Sequence, residues 1–214
     1  LGGGDNETTT GLGVDRIVEY AKKFGLARVL QIDLPGEQTG FLPSKAWKEE
    51  TKNELWYIGD TYHLAIGQGD ILVTPLQVAS YTATIANGGT IWKPHITKTI
   101  VSQDGTERTD VIPEALATSV IEDQYLRVVR EGMRQAVTSG SARGLGGLAW
   151  PMAAKTGTAQ HGGSDIPHSW VTVFGPYDDP SIVVTVLVEE GGEGTEAALP
   201  VARDMLNYYI AQQQ

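Results

Sequence analysis

The chain has 214 residues and a formal net charge of −10. That length suits one large domain or two small ones and is sufficient to bury a hydrophobic core. The negative charge disfavours nucleic-acid binding, because the phosphates would be repelled. There are 0 cysteines, which excludes disulfides, thiolate metal ligands and a cysteine nucleophile. No apolar run approaches the roughly 18 residues of a membrane-spanning helix.

The first quarter of the chain contains one clear helical pattern. Residues 1–10 are small and polar and are predicted to form a flexible connector. Apolar residues recur at helical spacing over 14–24, and Gly25 can end that helix in a left-handed conformation. Prolines and glycines interrupt residues 25–60, which are therefore predicted to be irregular. Three aromatic residues of this segment are expected to fold back on the core: Trp47, Trp56 and Tyr57.

The middle of the chain predicts a helix followed by a hairpin. Thr74 is a good N-cap residue, Pro75 suits the first helical position, and Gln77 completes a capping box. The predicted inner face of this helix is apolar and mostly small: Leu76, Ala79, Ala83 and Ala86. A strand over 96–101, a turn at Asp104-Gly105 and a short return strand should follow.

The last part of the chain predicts a helix, three strands and a final helix. Ser119 and Glu122 form a second capping-box pattern, before a helix with four inward residues: Leu126, Val129, Met133 and Val137. Strands are predicted over 152–160, 170–174 and 182–188, the last of them central because it is apolar on both faces. A helix over 197–210 should cover the sheet with Val201, Met205, Leu206 and Tyr209. This order predicts an α+β domain.

The segment most suited to chemistry lies on the first of these strands. Strand alternation directs Lys155 and Gly157 to one face and Thr156 and Thr158 to the other. A glycine lets a ligand approach the backbone, and an N–H at a strand edge can stabilise an oxyanion. An ammonium group and two hydroxyls beside it can hold a carboxylate, so the segment predicts an anion-binding strand edge.

Several stretches, in order, give this segment a context. They are Gly13-Val14-Asp15-Arg16-Ile17, Ile32-Asp33-Leu34-Pro35-Gly36-Glu37, Ile66-Gly67-Gln68-Gly69, Ile85-Ala86-Asn87-Gly88-Gly89, Gly140-Ser141-Ala142 and Lys155-Thr156-Gly157-Thr158-Ala159. Together they resemble the class B penicillin-binding proteins of the elongation type, the penicillin-binding protein 2 family. The resemblance covers residues 11–210, and the KTG motif is the one that these proteins share with serine β-lactamases.

The resemblance implies a penicilloyl-serine transferase fold, with a five-stranded antiparallel sheet flanked by helices. It implies peptidoglycan D,D-transpeptidation of stem peptides ending in D-Ala-D-Ala through a serine acyl-enzyme, acylation by β-lactams, and no metal or organic cofactor. Lys155 would belong to the proton and charge network, and Thr156, Gly157 and Thr158 would bind the substrate or β-lactam carboxylate. The backbone N–H of Thr158 would donate to the oxyanion. His168 and Trp170 are further candidates for the substrate groove.

The sequence departs from the family where the nucleophile should be. No serine is followed three residues later by lysine, and none is followed two residues later by asparagine. Ser102-Gln103-Asp104 fits an S-x-D pattern but falls in the predicted hairpin turn. We therefore expect residues 11–214 to be the C-terminal portion of a transpeptidase domain, inactive without an upstream portion that carries the serine.

Other interpretations remain open at this point. A serine β-lactamase or β-lactam sensor would share the KTG motif, and so would a non-catalytic penicillin-binding-like module. His161, Asp165 and His168 could ligate zinc, although a solvated loop at the cleft rim is the more economical explanation. By resemblance, the parent protein would be anchored in the cytoplasmic membrane with this domain outside the cytoplasm. A polytopic glycosyltransferase would be its partner.

Overall fold

The computed structural model describes residues 11–213, so the predicted connector over residues 1–10 lies outside the described residues. Six α-helices occur in the described part. They are α1 (Gly13–Lys23), α2 (Lys45–Lys52), α3 (Ile58–Ala65), α4 (Pro75–Ala86), α5 (Asp123–Thr138) and α6 (Ala198–Ala211). Seven strands accompany them: β1 (Ile91–Trp92), β2 (Thr99–Val101), β3 (Arg108–Asp110), β4 (Ala115–Ala117), β5 (Ala153–His161), β6 (Ser164–Gly175) and β7 (Ile182–Val188).

The main sheet of the described chain is an antiparallel meander in the order β5-β6-β7. All three strands were predicted, and the α+β class is confirmed. The sheet has three strands over residues 11–213, where the family resemblance implies five. The expectation that residues 182–188 form the central strand is wrong for this sheet, because β6 lies between the other two.

Helices cover both faces of the sheet. On one face, α6 packs against Val171, Val184 and Val186. On the other face, α4 contacts β6 and β7, and the Thr172 hydroxyl donates to the Thr82 hydroxyl at 3.0 Å. Strand β7 is therefore covered on both faces, which explains its apolar sequence although it is an edge strand of the described sheet within residues 11–213.

Helix α4 begins as predicted, with Thr74 as N-cap and a reciprocal capping box. The Gln77 N–H donates to the Thr74 hydroxyl and the Gln77 carboxamide oxygen accepts from the Thr74 N–H, both at 3.1 Å. The predicted apolar inner face is wrong except at Ala86. The buried residues are mainly polar: Gln77, Val78, Thr82, Thr84 and Ala86. The threonine hydroxyls donate to carbonyls one turn earlier, which lets polar side chains lie in the core.

We predict that Gln77→Ala lowers the free energy of unfolding by about 3 kcal/mol, measured by denaturant titration. The Gln77 side chain is only 1% exposed and donates to the carbonyl oxygens of Arg28 at 3.0 Å and Thr39 at 2.8 Å. Its loss leaves both carbonyls without this donor and leaves a cavity. Gln38→Ala, at an exposed glutamine nearby, is the matched control and should change stability little. Equal stability of the two variants would contradict the prediction.

Residues 25–60 are less irregular than predicted, because α2 lies within them and α3 begins there. The Ser44 hydroxyl accepts from the Trp47 N–H at 3.1 Å and caps α2. The Asp60 carboxylate accepts from the Tyr57 N–H at 2.7 Å and caps α3. Both helices have eight residues, too short for a hydrophobic period to reveal. Of the three aromatic residues expected to fold back, Trp47 and Trp56 are half-buried, whereas Tyr57 is 63% exposed.

A buried lysine joins these two helices. The Lys48 ammonium lies 2.7 Å from the Asp60 carboxylate and 3.4 Å from that of Glu54. The hydrogen bond to Asp60 raises the pKa of Lys48 above its ordinary value, and burial only partly opposes this. Lys48 therefore stays charged and fixes α2 against α3.

The remaining helices differ from prediction in detail. Glu122, not Ser119, is the N-cap residue of α5, and Val129 points outward at 45% exposure. In α6 the predicted inner residues Val201 and Met205 are exposed, and Tyr209 is half-buried. Leu206 is buried as predicted, and the other buried residues of the helix are Ala198, Leu199, Ala202 and Ile210. The two alanines among them have small side chains, which let the helix lie close to the sheet.

The predicted hairpin is confirmed, with Thr99 paired to Asp110 and Val101 paired to Arg108. The Ser102 hydroxyl donates to the Asp104 carboxylate at 2.6 Å within the connecting turn. The S-x-D pattern at Ser102 is thus part of the turn structure.

Candidate functional site

The KTG segment lies on β5, at the outer edge of the described sheet. Lys155 is exposed, and Thr156, Gly157 and Thr158 are half-buried. The register pairs Lys155 with Thr172 and Gly157 with Trp170, on the face covered by α4. The two threonines lie on the α6 face, as the strand alternation predicts.

The backbone of Thr158 points away from the sheet. The Gln68 side-chain amide donates to the Thr158 carbonyl oxygen at 3.0 Å, across 90 residues of sequence. Strand β6 borders β5 on its other side. In an antiparallel strand, the N–H and C=O of one residue point to the same side. The Thr158 N–H therefore faces outward from β6, where a ligand at the sheet edge can accept its hydrogen bond.

The loop around Gln68 contacts the KTG strand, a contact that the sequence motifs did not predict. It follows α3, where Gly67 and Gly69 have φ values of +77° and +83°, which glycine adopts without strain. These two glycines let the chain reverse on each side of Gln68 and present its amide to β5. The pattern Gly67-Gln68-Gly69 was visible in the sequence, but its contact with Thr158 was not.

Both threonine hydroxyls of the motif are hydrogen-bonded. The Thr156 hydroxyl lies 2.7 Å from the Ser141 hydroxyl, which belongs to the Gly140-Ser141-Ala142 stretch. The Thr158 hydroxyl donates to the Glu193 carboxylate at 2.8 Å. The Lys155 ammonium donates to the Thr156 carbonyl oxygen. Four consecutive residues of β5, 155–158, thus carry one ammonium group, two hydroxyls and one outward-facing N–H.

The loop between β7 and α6 lies directly against the motif. A Cβ added to Gly194 would lie 2.5 Å from the Gly157 carbonyl oxygen and 2.7 Å from that of Trp170. A Cβ on Gly157 would lie 3.3 Å from the Trp170 Cβ, so that contact is also tight. Glycine at both positions permits this close backbone packing.

The two histidines near the motif stack on each other. The rings of His161 and His168 are 4.1 Å apart, and the His168 Nδ1 accepts from the Glu190 N–H at 3.0 Å. This bond requires the neutral tautomer of His168 protonated at Nε2. Over residues 11–213, no group of three or more histidine, aspartate and glutamate side chains could hold a metal ion. The candidate groove residues His168 and Trp170 are both half-buried on β6.

A cavity of about 270 Å³ lies elsewhere, between the hairpin and the loop that contains Asp33. Asp33 accepts hydrogen bonds from the N–H groups of Ile96 at 2.8 Å and Thr97 at 2.9 Å. The bonds from Thr97 and Ile96 lower the pKa of Asp33 to about 2. The carboxylate is therefore a structural anchor for this loop at neutral pH.

Comparison with known proteins shows the family to which the chain belongs. The penicillin binding protein transpeptidase domain family matches residues 6–207, and the chain belongs to that family. The peptidoglycan D,D-transpeptidase MrdA of Haemophilus influenzae is 30% identical over an alignment of 220 residues that covers 94% of this chain and 33% of that protein. Penicillin-binding protein 2A of Bacillus subtilis is 33% identical over an alignment of 189 residues that covers 81% of this chain and 25% of that protein.

Solved structures of relatives have the same fold. The Pseudomonas aeruginosa PBP2 structure in complex with WCK 5153 has a TM-score of 0.76 at 36% identity, covering 92% of this chain and 44% of that chain. The Helicobacter pylori complex between PBP2 and MreC has a TM-score of 0.75 at 28% identity, covering 94% of this chain and 36% of that chain. The penicilloyl-serine transferase fold is thereby confirmed. The chain spans about a third of the length of the curated relatives it matches.

None of the helices in residues 11–213 is both long enough and apolar enough to cross a bilayer.

Proposed function

We propose that this chain is the KTG-bearing portion of a peptidoglycan D,D-transpeptidase. The observation that carries the proposal is the outer edge of β5. There Lys155, the two threonine hydroxyls and the outward N–H of Thr158 lie on one strand, an arrangement suited to binding an anion. Membership of the penicillin binding protein transpeptidase domain family also supports this proposed function.

The proposed reaction is acyl transfer at the penultimate D-Ala of a stem peptide. A serine oxygen bonds to the carbonyl carbon, the C–N bond to the terminal D-Ala breaks, and the leaving amine takes up a proton. An amine of a second peptide then attacks the ester, forms the cross-link and releases the serine. β-Lactams acylate the same serine, but their ring-opened leaving group stays attached.

Each KTG residue has a role in this proposal. The Thr158 N–H donates to the oxyanion of the tetrahedral intermediate, and such donors typically contribute 10²–10³-fold in rate. The hydroxyls of Thr156 and Thr158 bind the terminal carboxylate of the donor peptide, and Gly157 leaves space for its backbone. The Lys155 ammonium supplies positive potential beside both groups. His168 and Trp170 line the groove on the neighbouring strand.

The attacking serine is proposed to come from polypeptide outside the 214 residues. Neither the S-x-x-K nor the S-x-N pattern occurs in this sequence, although the family match extends from residue 6 to residue 207. Residues 11–214 would then form the C-terminal portion of the domain, and the serine would approach the exposed side of β5.

The cellular setting is proposed from the relatives. A Helicobacter pylori PBP2 is solved in complex with MreC, and a relative at 38% identity belongs to a peptidoglycan synthase complex that coordinates polymerization and crosslinking. By analogy, the full-length protein would be membrane-anchored, with this domain outside the cytoplasm and a polytopic glycosyltransferase as its partner.

The test uses the full-length protein with a fluorescent penicillin and with a stem-peptide donor ending in D-Ala-D-Ala. We expect a stoichiometric adduct that persists for many turnover times, D-Ala release, and a cross-linked product when an acceptor amine is added. Rapid loss of the adduct by hydrolysis would identify a β-lactamase. A persistent adduct without D-Ala release would identify a β-lactam sensor, and no adduct at all would identify a non-catalytic module.

A further inference from the structure

The Glu193 carboxylate contacts the hydroxyl that the proposed function assigns to the substrate. The Thr158 hydroxyl donates to Glu193 Oε2 at 2.8 Å. We infer that Glu193 is a specificity residue whose carboxylate holds the Thr158 hydroxyl and must be displaced by the carboxylate of the acyl donor. This inference rests on the proposed function of the KTG strand.

The backbone of the loop that carries Glu193 is fixed against β6. The Ser169 hydroxyl is fully buried, donates to the Glu193 carbonyl oxygen at 2.9 Å and accepts from the Ala198 N–H at 3.0 Å. The Gly192 N–H donates to the Pro167 carbonyl oxygen at 3.0 Å. Glu193 itself is exposed, so its side chain can rotate into solvent while its backbone stays in place.

Gly194 orients the hydroxyl for this exchange. Its N–H points at Thr158 Oγ1 at 3.4 Å, so the oxygen accepts from Gly194 while its proton is directed to Glu193. The close packing of Gly194 on Gly157 keeps this N–H beside the motif. When Glu193 leaves, the Thr158 proton remains oriented toward an incoming carboxylate.

Two carboxylates cannot share this position. A hydroxyl has one proton to donate, and two negative groups at the same donor repel each other. A ligand carboxylate must therefore replace Glu193 at the Thr158 hydroxyl. The affinity for acidic donors is lowered by the free energy of the hydrogen bond between Thr158 and Glu193 that is broken. A ligand without a charged carboxylate neither needs this position nor displaces Glu193 from it.

The experiment compares Glu193→Gln with wild type in the full-length protein. Acylation rates are measured for a penicillin with its free carboxylate and for the methyl ester of the same penicillin. We expect Glu193→Gln to raise the second-order acylation rate by the acid about 3- to 10-fold, the effect of one modest hydrogen bond, and to leave the ester rate nearly unchanged. Thermal melting checks that the variant is folded.

Glu189→Gln is the matched control, because it removes the same charge from an exposed site at the end of β7. A rise in the acid-to-ester ratio in Glu193→Gln alone supports the inference. If the acid-to-ester ratio of acylation rates is the same in Glu193→Gln and Glu189→Gln, the inference is overturned. The proposed function still stands in that case if the wild-type protein is acylated faster by the acid than by the ester. A wild-type protein that does not prefer the acid overturns the carboxylate site itself, and this inference with it.

Discussion

Lys155→Ala in the full-length protein is expected to reduce the rate of acylation by a fluorescent penicillin by about 10²–10³-fold, comparable with the loss of an oxyanion-hole donor. Lys155 is exposed on β5, and its ammonium donates to the Thr156 carbonyl oxygen, within the motif that also carries the outward N–H of Thr158. Negative charge develops on the attacked carbonyl and resides on the donor carboxylate. Removing the only cation of the motif therefore destabilises the transition state more than the ground state.

The same substitution should leave stability almost unchanged. Lys155 is exposed, and its hydrogen bond to the Thr156 carbonyl lies at the surface, where most substitutions change stability by less than about 0.5 kcal/mol. Lys98→Ala, at an exposed lysine just before β2, is the matched control and should acylate at the wild-type rate. A Lys155→Ala protein that acylates as fast as the Lys98→Ala protein would remove Lys155 from the mechanism.

The sequence predicted the sheet and the position of the motif because both depend on local patterns. The strand predicted over 152–160 corresponds to β5, and the apolar run over 182–188 corresponds to β7, so each prediction depended on residues of one strand. The capping box of Thr74 and Gln77 lies within four residues and was confirmed. Short-range geometry of this kind follows from residue type and spacing alone.

The partners of the motif could not be predicted in the same way. Gln68 reaches Thr158 across 90 residues, and Glu193 reaches it across 35. Glu193 ends the acidic glycine run Glu189-Glu190-Gly191-Gly192-Glu193, and nothing in that run indicates a link to Thr158. The inner face of α4 was also mispredicted, because buried threonines satisfy their hydroxyls on the helix backbone and no hydrophobic pattern reveals them.

The strand order was the third feature that local patterns could not determine. An apolar run indicates that both faces are covered, but it does not indicate how many strands lie alongside. Strand β7 is covered by α4 and α6, yet in the described sheet only β6 pairs with it. Pairing of strands is a long-range property, so the mistake about the central strand has a general cause.

The 214-residue chain on its own is expected to form no covalent adduct with a fluorescent penicillin, even in a sample that melts cooperatively. Triad-type sites lose nearly all their chemistry without the nucleophile, and the chain has no serine at S-x-x-K spacing. The Ser141 hydroxyl lies 2.7 Å from the Thr156 hydroxyl, but a hydroxyl is not a base at neutral pH and does not activate Ser141. Intact-mass spectrometry after incubation measures the outcome, and the full-length protein under the same conditions is the positive control. A stoichiometric adduct on the short chain, mapped by peptide sequencing to Ser141 or another of its own serines, would show that the nucleophile lies within these residues and would overturn our assignment of it to polypeptide outside them.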